Sequence, residues 1–241
     1  MAKKNKYIKI TYKKSKINLL LDRVLIFRFF RQLHGRFWGV VAISGLCLGL
    51  AICFAIRPDL LVVTTAFSDF GNDVRTAPYF AGSVFFAAYG LWRWRNYITR
   101  TLKHKVIFYY LLSFMILGLY TVALMPVSWK PWPYRIHLIG FALTGASMAI
   151  LVISDGLISK TRKTKHLRNW RIVRIFSFGL IIIGGVITFG SLPSINWFDY
   201  TLIGETMMLL GFMFWVIFKT YLGEGAQSRL SILAKKIGII G

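Results

Sequence analysis

Acidic residues are the scarcest resource of this sequence: eight Asp and Glu side chains stand against 31 Lys and Arg, a formal net charge of +23 over 241 residues. Cysteine is almost as rare. Cys47 and Cys53 are the two present, about 9 Å apart along a helix, which is too far for a bridge. A disulfide framework and a paired-cysteine metal site are therefore both excluded. The four histidines are His34, His104, His137 and His166. They are too few for a histidine-rich zinc site, and three of them fall on basic links, away from the paired depth that axial haem ligation needs. No glycine-lysine phosphate loop is present, and no glycine-flanked serine elbow. Neither metal nor cofactor is expected.

Proline is missing where it would break helices. Pro58, Pro78, Pro126, Pro131, Pro133 and Pro193 all lie on links or at the ends of apolar runs, where a fixed φ is tolerated. Discontinuous helices of the kind found in many transporters thus have no proline signal here.

What is abundant is apolar sequence, at 56% of residues, with 16% aromatic and 16% charged. Six apolar runs stand out, near 38–56, 78–92, 106–126, 136–154, 173–190 and 201–218. The first would rise about 28 Å as a helix, close to the hydrocarbon thickness of a bilayer. The second is short and ends in Leu91-Trp92-Arg93-Trp94-Arg95, a stretch suited to the headgroup level, where tryptophan anchors and arginine snorkels. The expected fold is all-α: a polytopic six-helix transmembrane bundle over 37–221, between a basic segment at 1–36 and a tail at 222–241.

The basic residues set the expected orientation. Residues 1–36 carry 11, the 93–105 link 5, the 160–174 link 7 and the stretch from Lys219 onward 4, leaving Arg57, Arg75, Lys130 and Arg135 on the alternate links. Such alternation follows the positive-inside rule and places both termini in the cytoplasm, in a multi-pass cell-membrane protein. In a soluble chain the surplus would raise the question of nucleic acid. Interleaved with apolar runs, it points to anionic inner-leaflet headgroups, with Arg93, Arg95, Lys160, Arg162 and Lys163 as contacts, and no nucleic-acid partner is expected. Residues 17–37 mix apolar side chains with Arg23, Arg28, Arg31 and Arg36, a membrane-surface pattern. The charged stretch before the first run is too long for a cleavable signal peptide, so that run is expected to act as an anchor.

Ionisable groups near apolar runs are costly and therefore informative. Ser68-Asp69-Phe70-Gly71-Asn72-Asp73 closes the first outer link, His137 opens the fourth run, and Glu205 lies about one turn into the sixth. If those ends converge, Ser68, Asp69, His137 and Glu205 share a pocket at the outer headgroup level. Each has a structural alternative. Ser68 and Asp69 suit a helix cap, and Gly71 suits the positive φ that ends a helix. Asp73 could pair with Arg75, and His137 could donate to a neighbouring helix. Asp155, at the inner boundary, is expected to pair with the basic 160–174 link. The apolar centre of the 57–77 link, Leu60 to Phe67, fits a segment lying in the interface or a lid folded over the bundle, or else an extension of the first helix past Pro58. Gly45 and Gly49 form a close-approach face, for intramolecular packing or for a homo-oligomer.

Ser68-Asp69-Phe70-Gly71 after the first run, Met125-Pro126 ending the third and His137 opening the fourth resemble a group of bacterial six-helix membrane proteins. These are proteins of unknown function allied to the DRAM/Frag/Sfk family. The resemblance spans roughly residues 38–220 and omits the basic N-terminal extension. It implies a lipid-facing role for Ser68, Asp69 and His137, since some eukaryotic relatives are associated with lipid handling. The expected function is that of a lipid-interacting membrane protein with an outer-leaflet polar pocket. The alternatives are a membrane-embedded lipid-modifying enzyme, with His137 as general base or acid oriented by Asp69 or Glu205, and a small proton-coupled transporter.

Overall fold

A computed structural model of the chain describes residues 35–101, 105–125, 131–158, 165–192 and 195–222. The basic N-terminal segment, most of the 17–37 surface pattern, Lys160, Arg162, Lys163 and the C-terminal tail lie outside the described residues. Among those described there are six helices and no strand: α1 Gly35–Ile56, then α2 Ala77–Thr101, α3 Lys105–Leu124, α4 Pro131–Ile158, α5 Lys165–Gly190 and α6 Thr201–Leu222. Five of them, α1 and α3 to α6, are long and apolar enough to cross a membrane. The exception is α2, whose 25 residues rise about 37 Å but include Arg93, Arg95 and Arg100.

The prolines mark element starts. Pro58 opens a 3₁₀ turn, Pro58–Leu60, directly after α1. Pro78, Pro131 and Pro133 occupy the first turns of α2 and α4, where no intrahelical N–H is owed. The chain leaves α5 at Gly190 and turns through Asn196, which adopts φ 52°.

Three antiparallel hairpins build the bundle. In the first, Gly39 of α1 faces Trp94 of α2, Gly45 faces Phe86, Gly49 faces Ser83, and Gly90 of α2 faces Ala42. Residue numbers fall on one helix as they rise on the other, which is the signature of antiparallel contact. The face formed by Gly45 and Gly49 is thus covered within the chain. In the second hairpin, a Cβ on Gly118 of α3 would lie 2.5 Å from the Gly140 carbonyl of α4. In the third, a Cβ on Gly184 of α5 would lie 2.5 Å from the Gly204 carbonyl of α6. Small residues let helix backbones approach where apolar side chains gain little by leaving lipid.

This arrangement brings the end of α1, the start of α2 and the starts of α4 and α6 to one end, here termed the link end. The start of α1 and the ends of α2, α4 and α6 gather at the basic end. Between them lies a dense layer of fully buried side chains, including Trp94, Leu112, Leu151, Val152, Phe212 and Trp215. Trp94 and Trp215 meet edge to face with centroids 5.7 Å apart, a preferred aromatic geometry.

Candidate functional site

The link between α1 and α2 does not continue the first helix. It folds across the bundle. Leu202 N–H, at the start of α6, donates to the Val63 carbonyl at 3.0 Å. A second 3₁₀ turn, Phe67–Gly71, then drives Ser68 and Phe70 inward, with Phe70 fully buried and edge-on to Phe54 at 4.7 Å. Asp69 fastens that turn, its Oδ2 accepting the Ala66 N–H at 2.8 Å. Gly71 does not adopt positive φ; a Cβ there would press on the Phe80 ring at 3.3 Å, so close packing is what its small size serves.

Charge secures the other half of the link. Arg57 pairs with Asp59, Nη2 to Oδ2 at 2.6 Å, and with Asp73. Asp73 also pairs with Arg75 at 3.3 Å and accepts its backbone N–H at 2.8 Å. The Arg57 guanidinium, by hydrogen bonding, holds the Asp59 carboxyl below the usual carboxylate range, and the same bond raises Arg57.

Beneath the link lies a cavity of about 100 Å³ lined by Ser68, His137 and Glu205 together with apolar side chains of α1, α2, α3, α4 and α6. Three of the four residues expected at one pocket therefore meet on one surface, each at least nine-tenths buried. Asp69 does not line it; its carboxylate is engaged with Ala66. Glu205 Oε2 accepts the Phe67 N–H at 2.5 Å, so the carboxylate of α6 holds down the link. Among the described residues no cation stands within ion-pairing distance of Glu205: the ion pairs there join Arg57 and Arg75 to Asp59 and Asp73, and Arg174 and Lys219 to Asp155.

His137 Nδ1 lies 2.6 Å from the Met125 carbonyl. A carbonyl only accepts, so Nδ1 carries the proton and Nε2 is the ring's acceptor in the neutral form. The ring is thus oriented by backbone, and neither Asp69 nor Glu205 performs that task. With Asp69 bound to Ala66 as well, a Ser68–His137–Asp69 nucleophilic arrangement lacks its carboxylate-to-imidazole bond.

Ser68, His137 and Glu205 lie toward the link, Thr144 lies about 10 Å further along α4, and the surface the cavity exposes is almost wholly apolar. Along α4 the lining runs from His137 through Phe141 and Gly145 to Met148, which is about 16 Å further down the helix. Leu46 and Leu50 of α1 and Met208 of α6 close the lower part. These apolar liners escaped sequence reasoning, because one leucine or methionine in an apolar run looks like any other.

At the basic end a second buried carboxylate is handled differently. Asp155, 2% exposed, accepts from Arg174 Nε at 3.2 Å and Trp215 Nε1 at 3.3 Å and pairs with Lys219. The pairing with Arg174 meets the expectation of a bridge to the 160–174 link. Lys219, from α6, was not foreseen. Aromatic faces surround the two cations: Arg174 lies 4.9 Å above Trp170, and Lys219 lies 5.5 Å from Phe108.

Of the expected anionic-lipid contacts, Arg95 donates to Ser113 Oγ at 2.7 Å and stacks 4.5 Å over Tyr109. Arg93 lies 5.5 Å over Trp38. Both have partners within the protein. Cys47 and Cys53 are free thiols, and among the described residues no group of three His, Cys, Asp or Glu side chains could hold a metal ion. Compared with protein-family models, curated proteins and solved structures, the chain matches none.

Proposed function

We propose that this chain is a six-span integral membrane protein that binds an amphiphile beneath the 57–76 link, polar head toward Ser68, His137 and Glu205 and apolar part toward Met148. The observation that carries the reading is the convergence of three polar side chains, from the link, α4 and α6, on the mouth of a single apolar cavity. Ligand pockets combine a mostly apolar lining with a few convergent polar groups in this way. An ionisable residue inside a membrane helix is by default a functional candidate. The volume limits the occupant. It is about two thirds of an engineered cavity of about 150 Å³ that accepts benzene, so it holds a short apolar group or the first methylenes of a chain.

Counting α2 as a span rests on its packing. From Gly39 to Gly49, α1 lies against α2 from Trp94 back to Ser83, so α2 runs through the same depth as α1. With six spans, the alternation of basic links places both termini in the cytoplasm. The kinship with bacterial proteins allied to the DRAM/Frag/Sfk family belongs to this proposal, on the strength of Ser68-Asp69-Phe70-Gly71, Met125-Pro126 and His137. Contact with anionic inner-leaflet headgroups also belongs to it, supported by the basic surplus.

A second reading, chemistry on the bound amphiphile, draws on the fixed ring of His137, whose Nε2 is able to accept a proton. Proton-coupled transport draws less support. The layer around Trp94, Leu151, Phe212 and Trp215, which stands between Glu205 and Asp155, is mostly apolar, with Ser177 a fully buried polar side chain beside Phe212.

The test is gentle purification followed by mass spectrometry of co-purifying amphiphiles, comparing wild type with Val84→Trp, which fills the cavity wall. One class enriched over bulk lipid in wild type and lost in the variant is the expected result. Bulk lipid alone in both would overturn the reading. Catalysis would add a converted product that disappears in His137→Ala while binding persists.

A further inference from the structure

The chemistry of the cavity mouth also restricts the kind of head it accepts. Its polar lining consists of Ser68, His137, Thr144 and Glu205. Two of these have already used their donors inside the protein: Thr144 Oγ1 donates to the Gly140 carbonyl at 2.9 Å, and His137 Nδ1–H is held by the Met125 carbonyl. What remains is an imidazole acceptor, a serine hydroxyl, and a carboxylate whose Oε2 takes the Phe67 N–H. Among the described residues no Lys or Arg lines the cavity. Asp69, whose carboxylate caps the neighbouring Ala66, adds a second negative charge beside the mouth.

A lining of acceptors with no cation among the described residues offers an anionic head few donors and a cationic donor several partners. Ionised groups buried at membrane depth are almost always paired, and the same fold pairs Asp155 with both Arg174 and Lys219. We propose that the occupant of the cavity carries a primary ammonium head, which meets Glu205, beside which no cation stands among the described residues. This rests on the amphiphile-binding reading above and names the head class of that occupant. An ammonium brings three donors, enough to reach the Glu205 carboxylate, the His137 Nε2 acceptor and the Ser68 oxygen together. Two sources share this chemistry: the amine headgroup of a membrane phospholipid, and a free long-chain amine.

The test uses the full chain in phosphatidylcholine nanodiscs. Dodecylamine, dodecanol and dodecanoate are added separately, and thermal unfolding reports binding through ligand-dependent stabilisation. A parallel arm replaces part of the phosphatidylcholine with phosphatidylethanolamine and adds no free ligand. Dodecylamine is expected to bind about ten- to a hundredfold more tightly than dodecanol, as a charge-assisted hydrogen bond to a buried carboxylate allows. Dodecanoate is expected to be weakest. Glu205→Gln should erase the preference for the amine over dodecanol. Stabilisation in the phosphatidylethanolamine arm, lost in the same variant, identifies the lipid as the source; stabilisation by dodecylamine alone identifies the free amine.

The outcomes against it are separable. If all three dodecyl compounds bind equally and Val84→Trp abolishes every one, the cavity reading stands and the ammonium proposal falls. If none binds more than Val84→Trp allows, both fall. A preference for dodecanoate would overturn the ammonium proposal outright. Because the wild-type series alone decides, misfolding of a variant leaves the proposal open to refutation.

Discussion

Asp155 and Glu205 are both buried carboxylates on helices of one bundle, 2% and 8% exposed, yet their settings are opposite. Asp155 has Arg174, Lys219 and the Trp215 indole around it, drawn from two other helices. Glu205 has one backbone N–H, on a link outside the helices, and no cation among the described residues. The first pattern is that of a clamp: partners on α5 and α6 are tied to α4, and each ion satisfies the others. The second lines a cavity and spends its bonding on a cover. Burial of a carboxylate thus carries two meanings here, and the partner set tells them apart.

The largest expected effect breaks the comparison if it fails. Asp155→Asn leaves Arg174 and Lys219 buried without this carboxylate, a change that costs about 3–5 kcal/mol when one member of a buried ionic cluster is removed. Thermal unfolding in detergent should show a correspondingly large fall in Tm, and adding Lys219→Met should restore part of it. Glu205→Gln keeps the shape and an oxygen to accept the Phe67 N–H, so its cost is expected within about 1 kcal/mol. Equal losses at the two sites would mean that Glu205 is also a structural clamp, and the distinction between the two ends would collapse.

A second, smaller effect separates steric from electrostatic causes near Glu205. Gly204 precedes it at the tightest approach of α5 and α6, where a Cβ would stand 2.7 Å from the Gly184 carbonyl. Gly204→Leu is expected to cost about 1–3 kcal/mol by overpacking, read again as a fall in Tm. Gly82 of α2, whose Cβ would meet nothing within 4 Å, is the control, and Gly82→Leu should stay within about 0.5 kcal/mol. If both leucines are tolerated, the close glycine contacts are not what holds the third hairpin together.

How much of this was legible in the residues depends on the kind of signal each region carries. Helix positions were readable because apolar runs of span length have few alternatives, and the prolines fell where starts and links had to be. The convergence of Ser68, His137 and Glu205 was readable because polar groups are rare enough in such a chain to be conspicuous. For Asp69 the residues left a cap and a pocket role open, since a carboxylate that caps a turn and one that faces a cavity have the same sequence; it caps the 3₁₀ turn and does not line the cavity. His137 donates to the Met125 carbonyl at the end of α3, as the structural alternative allowed; the carboxylate orienter of the enzyme alternative is not its partner, and which backbone acceptor it meets leaves no trace in side-chain pattern. Lys219 was counted with the end-of-span charges; only the crossing of α4 and α6 brings it to Asp155. The second helix is the hardest case. Its C-terminal arginines lower its hydropathy, and packing against α1 is the argument for its depth.

The smallest expected effect sharpens the comparison from the side of the link. Asp59 is held below its usual range by the Arg57 guanidinium, with Arg75 adding to the attraction. A carboxyl whose folded value lies below its unfolded one stabilises the fold above that unfolded value, about 3.9 for aspartate. The contribution is lost as pH falls through the folded value. Acidification below about pH 4 should therefore loosen the Arg57 end of the link first, seen as faster hydrogen exchange of the amides between Leu60 and Thr65. The shift is expected to be slight, because exposed ion pairs contribute little. Asp59→Asn should exchange at neutral pH as the wild type does in acid and respond less to further acidification. If wild type and Asp59→Asn loosen over the same range, Asp59 is not the group that titrates, and its pair with Arg57 does not fasten that end of the link. That outcome would leave the hydrogen bond from the Phe67 N–H to Glu205, and not the Arg57–Asp59 pair, as the fastening that decides when the cavity is covered.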